Sequence, residues 1–248
     1  MALPALHEPL RHADALVVGQ RIGLNPHHVR GLRARQINTK EAFTLADREG
    51  RYFRASLTTL DAESGEALVY EAMATSPESP VHLTLLCAVL GRQRMLGVIQ
   101  KATELGVMRI VPVLSERSVL ASGLEHEKAH AWPAQALRAA RQCRRASLPE
   151  VQAAIPLARA LEQASFRDAD RRVYLDDRAA PQPPLQPKRD QPLSLAFVVG
   201  PEGGFSDDER RLLDAHEASS LRLGGRVLRA ETAVLVGLTL LQHAYGDM

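Results

Sequence analysis

Two glycine-rich stretches near the C-terminus contain the residues best suited to binding a small molecule. The first is LAFVVGPEGGFSDDE, over residues 195–209, and the second is LRLGGRVLRAETA, over residues 221–233. Each begins with an apolar, strand-like run, turns at glycines and enters a helix. Glycine lets a ligand approach the backbone closely because it has no Cβ. We predict that the two stretches form neighbouring loops of one small-molecule site at the edge of a sheet.

The flanking residues narrow the range of ligands. Ser206 and Glu209 have the spacing of a capping box, which predicts that a helix starts here. The glycines match neither G-x-G-x-x-G nor G-x-x-x-x-G-K-[ST], and no lysine stands where a nucleotide γ-phosphate would need one. The pattern therefore does not support a dinucleotide or ATP as the ligand.

Arginine is unusually frequent, since only four of the 31 basic residues are lysines. This excess reflects either a genomic composition bias or phosphate recognition. The second explanation is physical, because a planar guanidinium binds phosphate well. The arginines concentrate in two clusters: Arg138, Arg141, Arg144 and Arg145, and then Arg30, Arg33 and Arg35 with Lys40. Spacings of three and four predict that Arg138, Arg141 and Arg145 share one helix face. That face is either a solvated surface or a contact for nucleic-acid phosphates.

A metal site is the remaining chemical candidate. Residues 126–130, HEKAH, match the His-Glu-x-x-His pattern of zinc proteases, and Glu150 follows twenty residues later. The charged neighbours Glu125 and Lys128 indicate a solvated helix entry rather than a buried cleft. We therefore predict that the protein holds no metal.

Composition indicates an ordinary globular chain of one or two domains, with 45% hydrophobic residues and a net charge of +2. The cysteines, Cys87 and Cys143, form no disulfide framework. The N-terminus has no signal-peptide pattern, and no apolar run is long enough for a membrane span. These features predict a soluble, cytoplasmic protein.

The order of elements predicts two domains. Short β-elements over residues 15–18, 42–47, 52–57 and 66–73 favour a small N-terminal barrel, interrupted by a basic helical segment over residues 27–40. A polar, turn-rich break over residues 75–80 is the predicted boundary, between domains at 1–73 and 80–248.

After that boundary, strands alternate with helices, which predicts an α/β domain with a parallel sheet. The strands are expected over residues 81–90, 108–114, 171–177 and 195–199 and before Gly224; the helices over 93–104, 133–145, 157–164 and 230–245 and after Ser206, with a proline-rich surface loop over 180–192. The last helix is apolar nearly all round, so we expect a second buried side.

Taken together, these residues identify a resemblance that extends over essentially the whole chain. GRQRM with IQKATELGV over residues 91–107, PVLSERSV over 112–119 and the two glycine-rich stretches are similar to RsmE-type methyltransferases. The resemblance implies methylation of N3 of a uridine in 16S ribosomal RNA by S-adenosylmethionine. It also implies a SPOUT fold with a C-terminal trefoil knot, a PUA-like N-terminal barrel and a homodimer through the C-terminal helix.

The resemblance further implies the roles of individual residues. The cofactor would lie between the two glycine loops, with the loop after Leu175 as a third wall. The implied cofactor residues are Leu175, Val199, Gly200, Pro201, Glu202, Gly203, Gly204, Leu223, Gly224, Val227 and Leu228. Arg229 is the expected catalytic cation, with Glu231 or Glu202 as base or orienting group. A structural ion pair between Arg229 and Glu231 is the alternative.

The chain also departs from the family. Ala146 and Ser147 stand where the family usually has Asn and Arg, and the arginines usual near the N-terminus are missing from residues 1–5. These positions would face RNA, whether free or in the 30S subunit. A second hypothesis is therefore a knotted RNA-binding dimer that keeps the cofactor pocket but has weak or no catalytic activity.

Overall fold

The computed structural model describes residues 7–180 and 194–248. The chain divides into two compact units. One comprises the described residues up to Glu78 together with Ala140–Leu148, and the other comprises Ser79–Ala139 and Pro149–Met248. Most of the predicted proline-rich loop, and residues 1–5, lie outside the described residues.

Among its described residues, the first unit contains an antiparallel sheet and a helix that packs within it. Its strands are β1 (Arg21–Leu24), β2 (Ala42–Ala46), β3 (Tyr52–Leu60) and β4 (Gly65–Ala72), in the order β1-β4-β3-β2, and its helix is α1 (Pro26–Ala34). The side chain of Asn25 caps α1 by accepting a hydrogen bond from His28 N at 3.1 Å. The helix expected in the basic segment is therefore present.

One predicted strand of this unit is wrong. Residues 15–18 form no strand, and Val17 and Val18 are 64% and 54% exposed. The chain turns at Gly19, with φ of +91°, and only then enters β1. Leu16 alone of the apolar run is anchored in the core, so apolar content without alternation was a poor indicator of a strand here.

The second unit is an α/β domain with a parallel sheet, as predicted, and among the described residues this sheet has seven strands. Its strands are β5 (His82–Ala88), β6 (Arg109–Leu114), β7 (Glu150–Val151), β8 (Ile155–Pro156), β9 (Arg171–Leu175), β10 (Ser194–Val199) and β11 (Ser219–Leu221). The order is β11-β9-β10-β5-β6-β7, with β8 also paired to β6. Its helices are α2 (Arg92–Glu104), α3 (Trp132–Gln142, ending in the first unit), α4 (Leu157–Leu161), α5 (Ala164–Arg167), α6 (Asp207–Ala215) and α7 (Ala230–Tyr245).

The central strands β5 and β10 are buried on both faces, as their continuous apolar sequences predict. Leu85 and Phe197 belong to the core cluster that contains α2 and α7 residues. Leu86 and Val198 belong to the opposite cluster, which contains α4 and α6 residues. The sheet is therefore covered by helices on both sides.

Helix boundaries follow the local sequence signals in most places. α2 ends before Gly106, whose φ of +81° fits the predicted C-terminal glycine. The single helix expected over residues 157–164 is instead two short helices, because Gln163 has extended backbone between them. The short strands β7 and β8 were not predicted, since two-residue strands leave no periodic pattern.

Close packing of α7 on β10 gives a stability prediction. A Cβ on Gly237 would lie 2.2 Å from Phe197 Cζ, whereas a Cβ on Gly97 of α2 would meet nothing within 4 Å. Gly237→Ala is expected to lower the free energy of unfolding by about 1–3 kcal/mol through overpacking. Gly97→Ala is the matched control and should raise it by up to about 1 kcal/mol. Urea unfolding followed by circular dichroism measures both; equal effects would contradict the packing at Gly237.

Candidate active site

A cavity of about 360 Å³ opens at the carboxyl ends of three adjacent parallel strands. β9 is paired with β10 on one side and with β11 on the other, and Leu175 pairs with Leu221. The loops that follow the three strands therefore begin at the same edge of the sheet. This edge is where ligands bind in open α/β sheets.

The loop after β10 is held against its own helix and a neighbouring loop. A Cβ on Gly200 would lie 3.2 Å from the Phe205 ring, and one on Gly203 would lie 3.1 Å from Arg117 Cδ. Arg117 Nη1 also donates a hydrogen bond to Gly203 O at 2.8 Å. The predicted capping box is present, since Ser206 N donates to Glu209 Oε2 at 2.9 Å and Glu209 N to Ser206 Oγ at 3.3 Å. A Cβ at Gly200 or Gly203 would therefore require the Phe205 ring or the Arg117 side chain to shift by a few tenths of an ångström.

The loop after β11 is fixed by backbone geometry. Gly224 has φ of +99°, a conformation that other residues adopt only with strain. Arg222 ties this loop to the loop after β9 by donating to Gly224 O at 3.1 Å and to Ala179 O at 3.3 Å. The backbone of Asp176 also donates to Leu221 O at 3.1 Å. Three loops thus form one continuous wall.

All the residues predicted to hold the cofactor line this cavity. They are Leu175, Val199, Gly200, Pro201, Glu202, Gly203, Gly204, Leu223, Gly224, Val227 and Leu228. Arg229 also lines it, and Ala230 and Ala233 place the start of α7 against it. Glu231 is not part of the lining, although its neighbour Ala230 is. The structure brings the predicted set together; its binding role remains a prediction.

The arginines of the cavity wall do not form the ion pair that the sequence offered as an alternative. Among the described residues, neither Arg229 nor Arg226 has a carboxylate within 4 Å, and both are exposed in the lining. Glu231 instead faces Arg94, with Oε1 3.9 Å from Nε. The alternative in which Arg229 forms a structural ion pair with Glu231 is therefore wrong. Arg229 is free to contact a ligand.

The sequence patterns gave no role to three arginines in or beside the cavity wall. Arg210 Nε lies 3.2 Å from Asp176 Oδ2 in a largely buried ion pair that joins α6 to the loop after β9. Arg94 contacts Glu202 and was available in the motif GRQRM, but no chemical role was assigned to it. Arg226 stands in the second glycine stretch. These contacts depend on distant pairings that spacing does not show.

A thiol close to the sheet edge takes no part in covalent chemistry. Cys87 near the end of β5 is fully buried. Burial, with a smaller contribution from the negative charge of Glu202, raises the pKa of this thiol to about 12. A neutral buried thiol is a poor nucleophile.

The arginine cluster does not form the predicted helix face. α3 ends at Gln142, Arg144 has φ of +65°, and Arg145 lies beyond the helix with a side chain only 3% exposed. Arg145 Nη2 donates to Glu78 Oε2 at 2.8 Å. The prediction that Arg145 faces solvent or RNA is wrong, because its guanidinium is buried in an ion pair.

Arg35 is likewise buried. It donates to Glu8 O at 2.7 Å and to Gly31 O at 3.2 Å, and burial lowers its pKa to about 10. The prediction that Arg35 contacts RNA at the surface is therefore also wrong. The remaining predicted RNA contacts, Arg30, Arg33, Arg138, Arg141 and Arg144, are exposed or half-buried.

The exposed arginines differ in their partners. Arg141 Nη2 lies 2.7 Å from Glu41 Oε1, and Arg144 Nη1 lies 3.3 Å from Glu71 Oε1. Arg30, Arg33 and Arg138 have no carboxylate within 4 Å among the described residues, so their charge is not neutralised locally. Their role in binding RNA stays a prediction.

The two departures from the family pattern have a structural explanation. Ala146 N and Ser147 N donate to Glu78 Oε1 at 2.8 and 2.9 Å, and Ser147 Oγ donates to Oε2 at 2.5 Å. Ala146 and Ser147 are at most 2% exposed. A long side chain at Ser147 would not fit in this site as it stands. These residues hold Glu78 rather than face RNA.

The HEKAH segment has no metalloprotease geometry. Residues 126–128 form turns, in which Lys128 has φ of +52°. A short 3-10 helix (Ala129–Ala131) follows, and α3 starts only at Trp132. His126 and His130 therefore do not share a helix face. Within residues 7–180 and 194–248, no group of three His, Cys, Asp or Glu side chains is placed to hold a metal ion. In the same ranges, every helix is too short or too polar to cross a membrane.

Comparison with known proteins shows which protein family the chain resembles. Residues 77–242 match the family model described as RNA methyltransferase domain. The chain is 31% identical over 192 residues to ribosomal RNA small subunit methyltransferase E of Mesomycoplasma hyopneumoniae, covering 74% of this chain and 79% of the relative. It is 30% identical over 207 residues to the protein of that name from Mycobacterium bovis, covering 82% and 79%.

A solved structure extends the likeness to the fold. The ribosomal RNA small subunit methyltransferase E of Neisseria gonorrhoeae, bound to S-adenosyl methionine, is 29% identical with a TM-score of 0.68. The match covers 97% of this chain and 99% of that one. The chain therefore belongs to the ribosomal RNA small subunit methyltransferase E family.

The buried ion pair between Glu78 and Arg145 gives a stability prediction. Glu78→Gln would leave the Arg145 guanidinium buried without its carboxylate, which is expected to cost about 3–5 kcal/mol of unfolding free energy. Glu71→Gln removes the exposed pair with Arg144 and should cost no more than about 1 kcal/mol. Urea unfolding monitored by fluorescence and circular dichroism compares the two. Similar costs would contradict the burial of the Arg145 pair.

Proposed function

We propose that this protein transfers a methyl group from S-adenosylmethionine to N3 of a uridine in 16S ribosomal RNA. The observation that carries the proposal is the cavity in which all the predicted cofactor residues meet at one sheet edge. The relative from Neisseria gonorrhoeae, which covers nearly the whole chain, is bound to S-adenosyl methionine. The small ribosomal subunit is a cytoplasmic substrate, so the proposed activity is cytoplasmic.

The cavity fits a folded nucleoside-sized ligand. Its volume of about 360 Å³ lies in the range of about 300–1,000 Å³ found for small-molecule sites. Leu175, Val199 and Leu223 supply apolar surface, and the glycine loops expose backbone groups that can hydrogen-bond an adenine. When bound, S-adenosylmethionine supplies a methyl group that its sulfonium has already activated. The protein has to position the acceptor nitrogen in line with that methyl, about 3 Å away.

Arg229 is the residue proposed to stabilise the reacting base. Loss of the N3 proton leaves negative charge on the oxygens of the uracil ring. An exposed guanidinium in the cavity wall with no carboxylate partner among the described residues can donate hydrogen bonds to that charge. Glu202 and Glu231 are the proposed acidic groups, as base or orienting residue. The target uridine must be unstacked, which is easiest in a non-helical RNA segment.

The finer features of the fold belong to the same proposal. We take the loops after β10 and β11 to form a trefoil knot, and the four-stranded sheet with α1 to be part of a PUA-like barrel. The assigned roles are an RNA-binding domain over residues 1–73 and a methyltransferase domain over 80–248. Arg30, Arg33, Arg138, Arg141 and Arg144 are the proposed RNA contacts, on free 16S RNA or the 30S subunit. α7, on which Leu240 is 41% exposed, is the proposed homodimer interface.

One observation favours a second candidate function. Ala146 and Ser147 lie where related proteins would contact RNA, and here they bind Glu78 instead. A knotted dimer that binds RNA but transfers no methyl group would be compatible with that change.

Mass mapping of 16S RNA separates the two candidates. Cells that lack this protein should lose one methyluridine, and its return with the intact gene would assign the methyl group to this chain. Identical maps with and without the protein would favour the RNA-binding alternative.

Arg229→Ala tests the proposed catalytic cation. We expect kcat for methyl transfer to fall about 100-fold, because one preorganised donor to the developing charge is removed. Affinity for S-adenosylmethionine, measured by calorimetry, should stay within about twofold. Arg211→Ala, which removes an exposed pair with Asp208 on α6, is the control and should keep wild-type kcat. Full activity of Arg229→Ala would remove the proposed role.

A further inference from the structure

Three charged side chains form an ionic cluster beside the cavity. Arg94 is in the first turn of α2, Glu202 is in the glycine loop after β10, and Glu231 is the second residue of α7. Arg94 Nη1 is hydrogen-bonded to Glu202 Oε1, and Arg94 Nε lies 3.9 Å from Glu231 Oε1. The Arg94 guanidinium on α2 therefore contacts the glycine loop and α7. Of the three side chains, Glu202 lines the cavity.

The two carboxylates of this cluster are not equivalent. Glu202 is 41% exposed and accepts a direct hydrogen bond from Arg94. Glu231 is 27% exposed, and its Oε2 is buried with no hydrogen-bond partner among the described residues. An ionised carboxylate is an acceptor only, and a buried acceptor without a donor is rare in native proteins. Glu231 thus keeps one acceptor oxygen without a donor among the described residues.

We propose that Glu231 accepts the N3 proton of the target uridine and that Arg94 is the positioning residue that holds it. The inference rests on the proposed function and assigns the proton acceptor within it. The start of α7, which carries Glu231, lies against the cavity, since Ala230 and Ala233 line it. The N3 proton then moves to Glu231, and the N3 electron pair forms the bond to the transferred methyl carbon. The electron pair of the broken carbon–sulfur bond stays on sulfur.

The contacts favour Glu231 over Glu202 as the acceptor. Arg94 holds Glu202 by a direct hydrogen bond, whereas its contact with Glu231 is looser, at 3.9 Å. Glu231 Oε2 also has no hydrogen-bond partner among the described residues.

Arg94 is also needed because the cluster holds two like charges. The charged groups around Glu231 are Arg94 from α2 and Glu202 from the glycine loop, with Arg229 two positions earlier in the chain. Without Arg94, repulsion from Glu202 would favour protonation of one of the two acids. A protonated Glu231 cannot accept the N3 proton. Removal of Arg94 should therefore affect turnover most at low pH.

Glu231→Gln is the first test, with single-turnover transfer from labelled S-adenosylmethionine to 30S subunits and to 16S RNA. We expect the rate to fall about 100- to 10,000-fold, the range for loss of a general base. The residual rate should rise about tenfold per pH unit, because it then depends on uridine that has already lost its proton. Affinity for S-adenosylmethionine should stay within about twofold. Glu104→Gln, which removes an exposed pair with Lys101 on α2, is the control and should match wild type.

Arg94 variants test the positioning role. Arg94→Ala should lower the rate and move the acid limb of its pH profile to higher pH, whereas Arg94→Lys should restore part of both. A purely structural role would lower thermal stability and leave the shape of the pH profile unchanged, which would contradict the assignment.

The outcomes separate this inference from the function on which it rests. If wild-type protein forms no methyluridine on either substrate, the proposed function fails. If wild type is active and Glu231→Gln keeps more than about a tenth of its rate, or loses S-adenosylmethionine binding, Glu231 is not the proton acceptor. Should Glu231→Gln fail to fold, Glu231→Ala with added formate replaces it. Restored turnover supports the inference, and no restoration overturns it.

Discussion

The parallel pairing of β9 with β10 and β11 is the constraint on which the site depends. Because the three strands run in the same direction in adjacent positions, their carboxyl ends lie at one edge, and the loops after Leu175, Val199 and Leu221 meet there. Hydrogen bonds then fix the loops to one another, through Arg222 to Gly224 O and Ala179 O and through the Arg210–Asp176 pair. The glycines allow this close approach. Burial of β10 on both faces makes the edge a stable platform.

Charge is organised differently in the two units. In the first unit, Glu78 accepts hydrogen bonds from Arg145, Ala146 and Ser147. Arg145 therefore stabilises the fold and is not exposed for binding. In the second, Arg226 and Arg229 remain in the cavity wall with no carboxylate within 4 Å among the described residues, while Arg94 is shared by two acids. Arg229, the cation proposed for chemistry, thus has no carboxylate within 4 Å among the described residues, whereas Arg145 is paired with Glu78. Sequence clusters of arginine do not distinguish the two uses.

Features set by backbone geometry were predictable, and features set by distant partners were not. The glycine turns, the capping box at Ser206 and the bounds of α7 follow from residues adjacent in the chain, and the structure has them as expected. The burial of Arg145 depends on Glu78, which is 67 positions earlier, and no local pattern indicates that pairing. The same holds for Arg94, whose partners Glu202 and Glu231 come from other elements. The apolar run at residues 15–18 failed as a strand because tertiary packing uses only Leu16.

The central claim is that the paired glycine loops hold a methyl donor whose methyl group goes to uridine N3. The most direct measurement is transfer of labelled methyl from S-adenosylmethionine by the purified protein to 30S subunits and to 16S RNA. Digestion to nucleosides, followed by chromatography and mass spectrometry, identifies the product. We expect the label to appear as 3-methyluridine at a single position. Label in another nucleoside, or no label in RNA despite normal binding of S-adenosylmethionine, would contradict it.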